Sequence, residues 1–214
     1  MKIIKIYYEK YEIPLIEKFK NSKNQYTNQQ GLIFIIKTKE YVGLGEAVLL
    51  KGFSNHTMQE MVWAAESLIE SIQDNEEYSM EELLIMAEIH CSQTPTVQFA
   101  IDTALYDIES QKQGLPLSKF LNKEAFGCVD CSQTLLNPKN IIISDTVKIK
   151  IGAHSRKDDI GLLKKIDKEY PNVKMRLDAN QCYSIEEFIL LYKNISHLNI
   201  DFLEEPIKNP NIKK

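Results

Sequence analysis

From Cys128 onward the chain alternates between two hydrophobic periods, and this alternation narrows the possible folds more than any other feature. Candidate strands at Cys128–Leu135, Val147–Ile151, Val173–Asp178 and Ile200–Glu204 are interleaved with helical segments running from about Lys157 to Tyr170 and from Ile185 to Asn194. Pro171 follows the first helix and Pro206 closes the last strand. Strand–helix–strand at a period near 27 residues predicts parallel βαβ units, because parallel strands need a long crossover, usually a helix. A (β/α)8 barrel takes about 250 residues, or ~30 per unit, so the period fits one. Only about four strands are present, which makes residues 126–214 the first half of such a barrel.

Residues 1–125 read differently. Ile3–Tyr8 and Leu32–Lys37 are short β-rich runs, and Tyr41–Glu46 reads as a strand after a turn at Lys39-Glu40. Three helical segments follow. The first comes after Thr57 and sets Met61, Val62, Ala65, Leu68, Ile69 and Ile72 on one face, with Trp63 taken into the core stripe. The second starts at Ser79, with Glu82 at capping-box spacing. The third begins near Thr96, turns Val97, Ala100, Ile101, Ala104, Leu105 and Ile108 inward, and stops at Gly114 before Pro116. Strands followed by a run of helices predict a small α+β domain. The whole chain is therefore expected to be α/β, an α+β domain followed by a partial (β/α)8 barrel.

Composition removes several classes of function. At 43% hydrophobic and 26% charged, the 214-residue chain has the make-up of a soluble globular protein. A net charge of −4 argues against a nucleic-acid partner held by phosphate neutralisation. No run approaches the ~20 apolar residues of a membrane span, and Lys5 interrupts the apolar start, which excludes a signal peptide. Cys91, Cys128, Cys131 and Cys182 are too few and scattered for a disulfide scaffold, so the cytoplasm is the expected compartment. Cys128-Val-Asp-Cys131 reads as two small strand residues facing opposite ways rather than a redox or metal pair. His56, His90, His154 and His197 have no ligand spacing, although His154 follows the second barrel strand.

The chemistry gathers at strand ends, where barrel active sites lie. Lys148 and Lys150 close the second barrel strand, Asp178 the third and Glu204 the fourth. Residues two apart on a strand share a side, so the two ammoniums are expected together, each disfavouring the other's charge and lowering at least one pKa to make a usable base. Asp178 and Glu204, on neighbouring strands, offer hard oxygen ligands for Mg²⁺. Divalent metal beside such a lysine suits proton abstraction next to a substrate carboxylate. The bland reading is a solvated strand face, since all but two of the 26 basic residues are lysine and Lys37-Thr38-Lys39 repeats the triplet. The combined register favours the sharper one: 28 residues separate Lys150 from Asp178 and 26 separate Asp178 from Glu204.

Val147–Gly152, Arg176-Leu-Asp-Ala-Asn180 and Asp201–Pro206 resemble successive barrel motifs of the enolase superfamily, muconate-lactonising branch. Gly43-Leu-Gly-Glu46 with Gly52-Phe-Ser54 resembles its capping domain, and Gln98–Ile108 followed by Gly114-Leu-Pro116 the helix that leads into its barrel. Within the branch the motifs look most like o-succinylbenzoate synthase of menaquinone biosynthesis. That resemblance implies a Mg²⁺-dependent dehydratase, a lyase in which Lys150 takes an α-proton and then returns it to a departing hydroxyl, with Lys148 tuning it. Asp178 and Glu204 would hold Mg²⁺, Asn180 and Glu205 would support them, and Arg176 would lie near the lysines. Loops at roughly Ile16–Gln30 and Leu49–Ser54 would close over a small-molecule carboxylate substrate. A racemase, epimerase or cycloisomerase of the same branch is the alternative, and a non-catalytic remnant the alternative of another class. The family's third metal ligand and opposite-face lysine would lie beyond Lys214, so the chain reads as a fragment or interrupted version of a longer enzyme. A half barrel is expected to expose an unpaired parallel edge and an apolar inner face.

Overall fold

In β2 (Gln25–Lys37) Leu32, Phe34 and Ile36 recur at the two-residue period of an extended chain, and all three are buried. They lie between β1 (Lys5–Lys20) and β3 (Val42–Leu49) in an antiparallel sheet of order β1-β2-β3. The computed structural model describes residues 1–20, 25–50, 54–135 and 142–208, with backbone alone for 16–20 and 25–26. It divides into two units, Met1–Gly127 and Cys128–Lys214.

The first unit packs α1 (Met58–Ser71), α2 (Met80–Cys91) and α3 (Pro95–Lys112) on its sheet. Phe34, Met61, Leu68, Ile101, Leu105 and Ile108 form the centre of its core. Capping boxes start two of the helices, Thr57 with Glu60 on α1 and Ser79 with Glu82 on α2. β3 and α3 touch through backbone: a Cβ on Gly45 would sit 1.8 Å from the Ala100 carbonyl oxygen, and one on Gly43 2.1 Å from that of Ala104. Gly114, with φ of 64°, ends the helix run before the short α4 (Leu117–Leu121). Trp63 is 61% exposed rather than core, because Met61, Val62, Ala65 and Leu68 fill the inward stripe and position 63 turns away from it. β1 and β2 extend well past the apolar runs that announce them, into a two-stranded ribbon whose polar residues carry no alternation.

The second unit is a parallel sheet, β4 (Gln133–Leu135), β5 (Thr146–Lys150), β6 (Lys174–Asp178) and β7 (Ile200–Glu204), in that order. α5 (Arg156–Glu169) and α6 (Ile185–Ile195) are its crossovers. Val147, Ile149, Met175 and Leu177 join Leu163, Ile166, Leu191 and Ile195 in one core. This is the α+β domain and partial (β/α)8 barrel that the sequence predicts. Two expectations change. Cys128–Ser132 lie outside any strand and both cysteines there are exposed, since Asn122–Ser132 lacks the buried alternate residues that would hold it to the sheet. The sheet face away from the core is also not apolar: Thr134, Lys148, Arg176 and Phe202 share one cross-strand row, and Lys150, Asp178 and Glu204 the next. Phe202 is the one apolar side chain among these seven.

Candidate active site

Each charged residue of this face stands where the two-residue period puts it. Val147 and Ile149 turn into the core, so Lys148 and Lys150 must turn away; Met175 and Leu177 do the same for Arg176 and Asp178. Parallel pairing of Lys150 with Asp178 and of Asp178 with Glu204 then aligns three strand ends.

Lys148 is the centre of the cluster. Its Nζ lies 2.7 Å from Glu204 Oε2 and 3.0 Å from Asp178 Oδ2. The hydrogen bond to Glu204, followed by that to Asp178, raises its pKa above the ordinary lysine value. The lowering expected for at least one lysine of the pair does not fall on Lys148, where two carboxylates within 3.0 Å outweigh a neighbouring ammonium. Lys150 is half-buried beside Asp178 in the register.

The supporting residues divide. Asn180 donates from Nδ2 (2.5 Å) and from its backbone N–H (3.2 Å) to Asp178 Oδ1, leaving Oδ2 for the cation. Glu205 does not reach that carboxylate; its side chain accepts from Gln181 Nε2 at 3.0 Å and its carbonyl from the Gln181 N–H at 2.7 Å. Arg176 donates from Nε to Asp201 Oδ2 at 2.9 Å, and its guanidinium lies 5.2 Å from the centre of the Phe202 ring. Asn180, Gln181 and Glu205 have φ of 47°, 59° and 39°, so three non-glycine residues beside the carboxylates are left-handed.

Several residues escape sequence reasoning. Gln181, Asp201 and the buried pair Asp159 and Tyr183 are placed by pairings between segments distant in the chain, which no local period encodes. His154 is exposed past β5, and Glu46 accepts from the Tyr11 hydroxyl at 2.5 Å. Of the expected substrate loops, residues 21–24 and 51–53 lie outside the described residues.

Asp178 and Glu204 converge on a single cation, here the Lys148 ammonium, and both present carboxylate oxygen. Mg²⁺ takes such ligands, one or two carboxylates with water and substrate completing an octahedral shell. The pair fits Mg²⁺ in ligand type and fills part of the shell; among the described residues no group of three His, Cys, Asp or Glu side chains gathers for a metal.

An α+β unit preceding parallel βα repeats, with lysines and carboxylates at the strand ends, defines a two-part protein, an α+β domain followed by part of a (β/α)8 barrel. Residues 12–122 match the mandelate racemase/muconate lactonizing enzyme N-terminal domain, and residues 143–214 the enolase C-terminal domain-like family. The chain belongs to the mandelate racemase/muconate lactonizing enzyme family of the enolase superfamily. An L-amino acid-D/L-Glu epimerase of Sulfurimonas denitrificans is 24% identical, the match covering 99% of this chain and 64% of the relative. The crystal structure of a dipeptide epimerase from Enterococcus faecalis, complexed with Mg and the dipeptide L-Leu-L-Tyr, superposes with a TM-score of 0.82 at 25% identity. It is matched over 97% of this chain and 62% of its own. The L-Ala-D/L-Glu epimerase from Bacillus subtilis, in a substrate-liganded complex, gives 0.81 at 24% identity over 97% and 62% of the two chains, a likeness of fold. The chain thus spans less than two thirds of the length of these relatives. No helix of the described residues is long and apolar enough to cross a membrane.

Proposed function

We propose that this sheet serves α-proton transfer in a Mg²⁺-assisted epimerase of dipeptides or similar N-acylated amino acids. The observation that carries the reading is the alignment of Lys150, Asp178 and Glu204 at three successive strand ends around the Lys148 ammonium. Lys150 takes the proton from the carbon next to the substrate carboxylate. Mg²⁺, held by Asp178 and Glu204, would supply positive charge where negative charge develops on that carboxylate. Lys148 lies within hydrogen-bond reach of both carboxylates, while Asn180 holds Asp178 in place.

Epimerisation is preferred to dehydration because relatives matched over nearly all of this chain are named as epimerases. The o-succinylbenzoate synthase reading rests on motifs the branch shares. It begins with the same abstraction, and Lys150 alone would serve it as base and then as acid, so the product decides. With Mg²⁺ in D2O, the chain is expected to exchange the Cα hydrogen of L-Ala-L-Glu for deuterium, as read by mass spectrometry and NMR. Lys150→Gln should lower that rate by about 10²–10⁴-fold. Exchange that survives Lys150→Gln, or none above the solvent rate, overturns the proposal. Water loss from a succinyl-hydroxycyclohexadiene carboxylate without dipeptide exchange selects the dehydratase.

A further inference from the structure

Asp159 is a carboxylate 2% exposed in the first turn of α5. Burying a carboxylate is expensive, and helix capping does not require it here. Ser155 already caps α5 by accepting the Asp158 N–H at 3.2 Å, and the Ser155 hydroxyl donates to Asp158 Oδ2 at 2.6 Å. Asp159 instead turns Oδ2 towards two other segments. The Gly152 N–H, from the loop after β5, donates to it at 2.8 Å, and the hydroxyl of the buried Tyr183, from the loop after β6, at 3.1 Å.

The connection continues through the Tyr183 backbone. Its N–H donates to the Pro206 carbonyl at 3.2 Å and its own carbonyl accepts the Lys208 N–H at 2.9 Å, so the segment after β7 is tied in as well. These three loops follow directly on Lys150, Asp178 and Glu204. Two of them hold the left-handed residues Asn180, Gln181 and Glu205, conformations that persist only where surrounding contacts enforce them.

We infer that Asp159 and Tyr183 are positioning residues, a buried strut that makes the loops after β5, β6 and β7 move as one body and so keeps Lys150, Asp178 and Glu204 in register. The catalytic meaning of that register rests on the proposed function; the mechanical coupling does not.

The test uses the 214-residue chain, its Tyr183→Phe variant, which keeps the ring and removes only the hydroxyl, and Asp159→Asn, which keeps one acceptor oxygen. Amide hydrogen exchange by NMR is expected to quicken several-fold at Gly152 and Lys208 in Tyr183→Phe, with Val147 and Leu177 in the strands unchanged and Asp159→Asn falling between. Unchanged exchange at Gly152 and Lys208, or a uniform rise through the whole unit, overturns the strut, the second outcome making Tyr183 a packing residue only. Titration with Mg²⁺ alone, followed at the Asp178 and Glu204 amides, is expected to show about tenfold weaker binding in Tyr183→Phe. Equal affinity with clear binding by the unsubstituted chain overturns the positioning role. Absence of any Mg²⁺ response in the unsubstituted chain counts against the proposed function, while the exchange rates still decide the strut.

Discussion

Gly152 illustrates how much one position contributes to the site. Its φ is 85°, and a Cβ there would fall 2.0 Å from Cys182 Sγ, so both backbone and space require glycine. Gly152→Ala is expected to destabilise the second unit by at least ~2 kcal/mol in thermal denaturation. Cys182→Ala in the same chain should restore part of the loss by removing the sulfur, and no recovery would assign the whole cost to the backbone. His56 makes a different residue-scale prediction. It is buried, bonds through Nε2 to Thr96 Oγ1 at 2.8 Å, and has a pKa lowered from 6.5 by burial, against which the nearby Glu60 acts weakly. The unfolded chain therefore takes up the His56 proton first as pH falls. The His56 contribution to stability is complete above the ordinary value of 6.5 and is lost as pH drops towards the folded pKa. Urea midpoints between about pH 8 and about pH 5 should fall, and His56→Gln should flatten part of that slope.

At the scale of elements, sequence and structure agree where a period of one side of a helix or strand decides the outcome. The stripe from Met61 to Leu68 and the strands ending at Lys150, Asp178 and Glu204 were legible that way, and the Ser79 cap by its spacing to Glu82, whereas the Thr57 capping box was not foreseen. The β1–β2 ribbon and the irregular Cys128–Ser132 were not, because the polar residues of the first carry no alternation and no alternate burial marks the second. The site was legible as positions and not as bonds. Lys148 bridging Asp178 and Glu204, Arg176 on Asp201 and the Asp159–Tyr183 pair depend on register between strands and loops far apart in the chain. The contact of β3 with α3 is another such case, since Gly43-Leu-Gly45 announces glycine but not the helix backbone against it. Gly45→Ala is expected to force β3 from Ala100, costing ~3 kcal/mol or more in chemical denaturation of the first unit. The neighbouring Leu44→Ala, at an exposed position, should cost far less, and similar losses for the two would remove the backbone contact as the cause.

For the whole molecule the decisive fact is that it holds two cores rather than one. The residues around Phe34 and Leu105 and those around Ile149 and Leu177 form separate buried clusters, one in each unit. Between them Phe126 is 86% and Val129 81% exposed, in chain that belongs to no helix or strand. A protease needs several residues of backbone outside helix and sheet ladders, which the connecting segment supplies without unfolding either core. Trp63 and Phe99 are also exposed, at 61% and 69%, but sit within α1 and α3, where backbone hydrogen bonds must first break. Brief chymotrypsin treatment is therefore expected to cut first after Phe126, giving fragments 1–126 and 127–214 by mass spectrometry. Each should keep the circular dichroism of its own elements, α-rich for the first, if its core is sufficient alone. First cleavage at Trp63 or Phe99 would mean that the helices open more readily than the connecting segment, contradicting the two-core description; a clean cut followed by rapid loss of one fragment would identify the core that depends on the other.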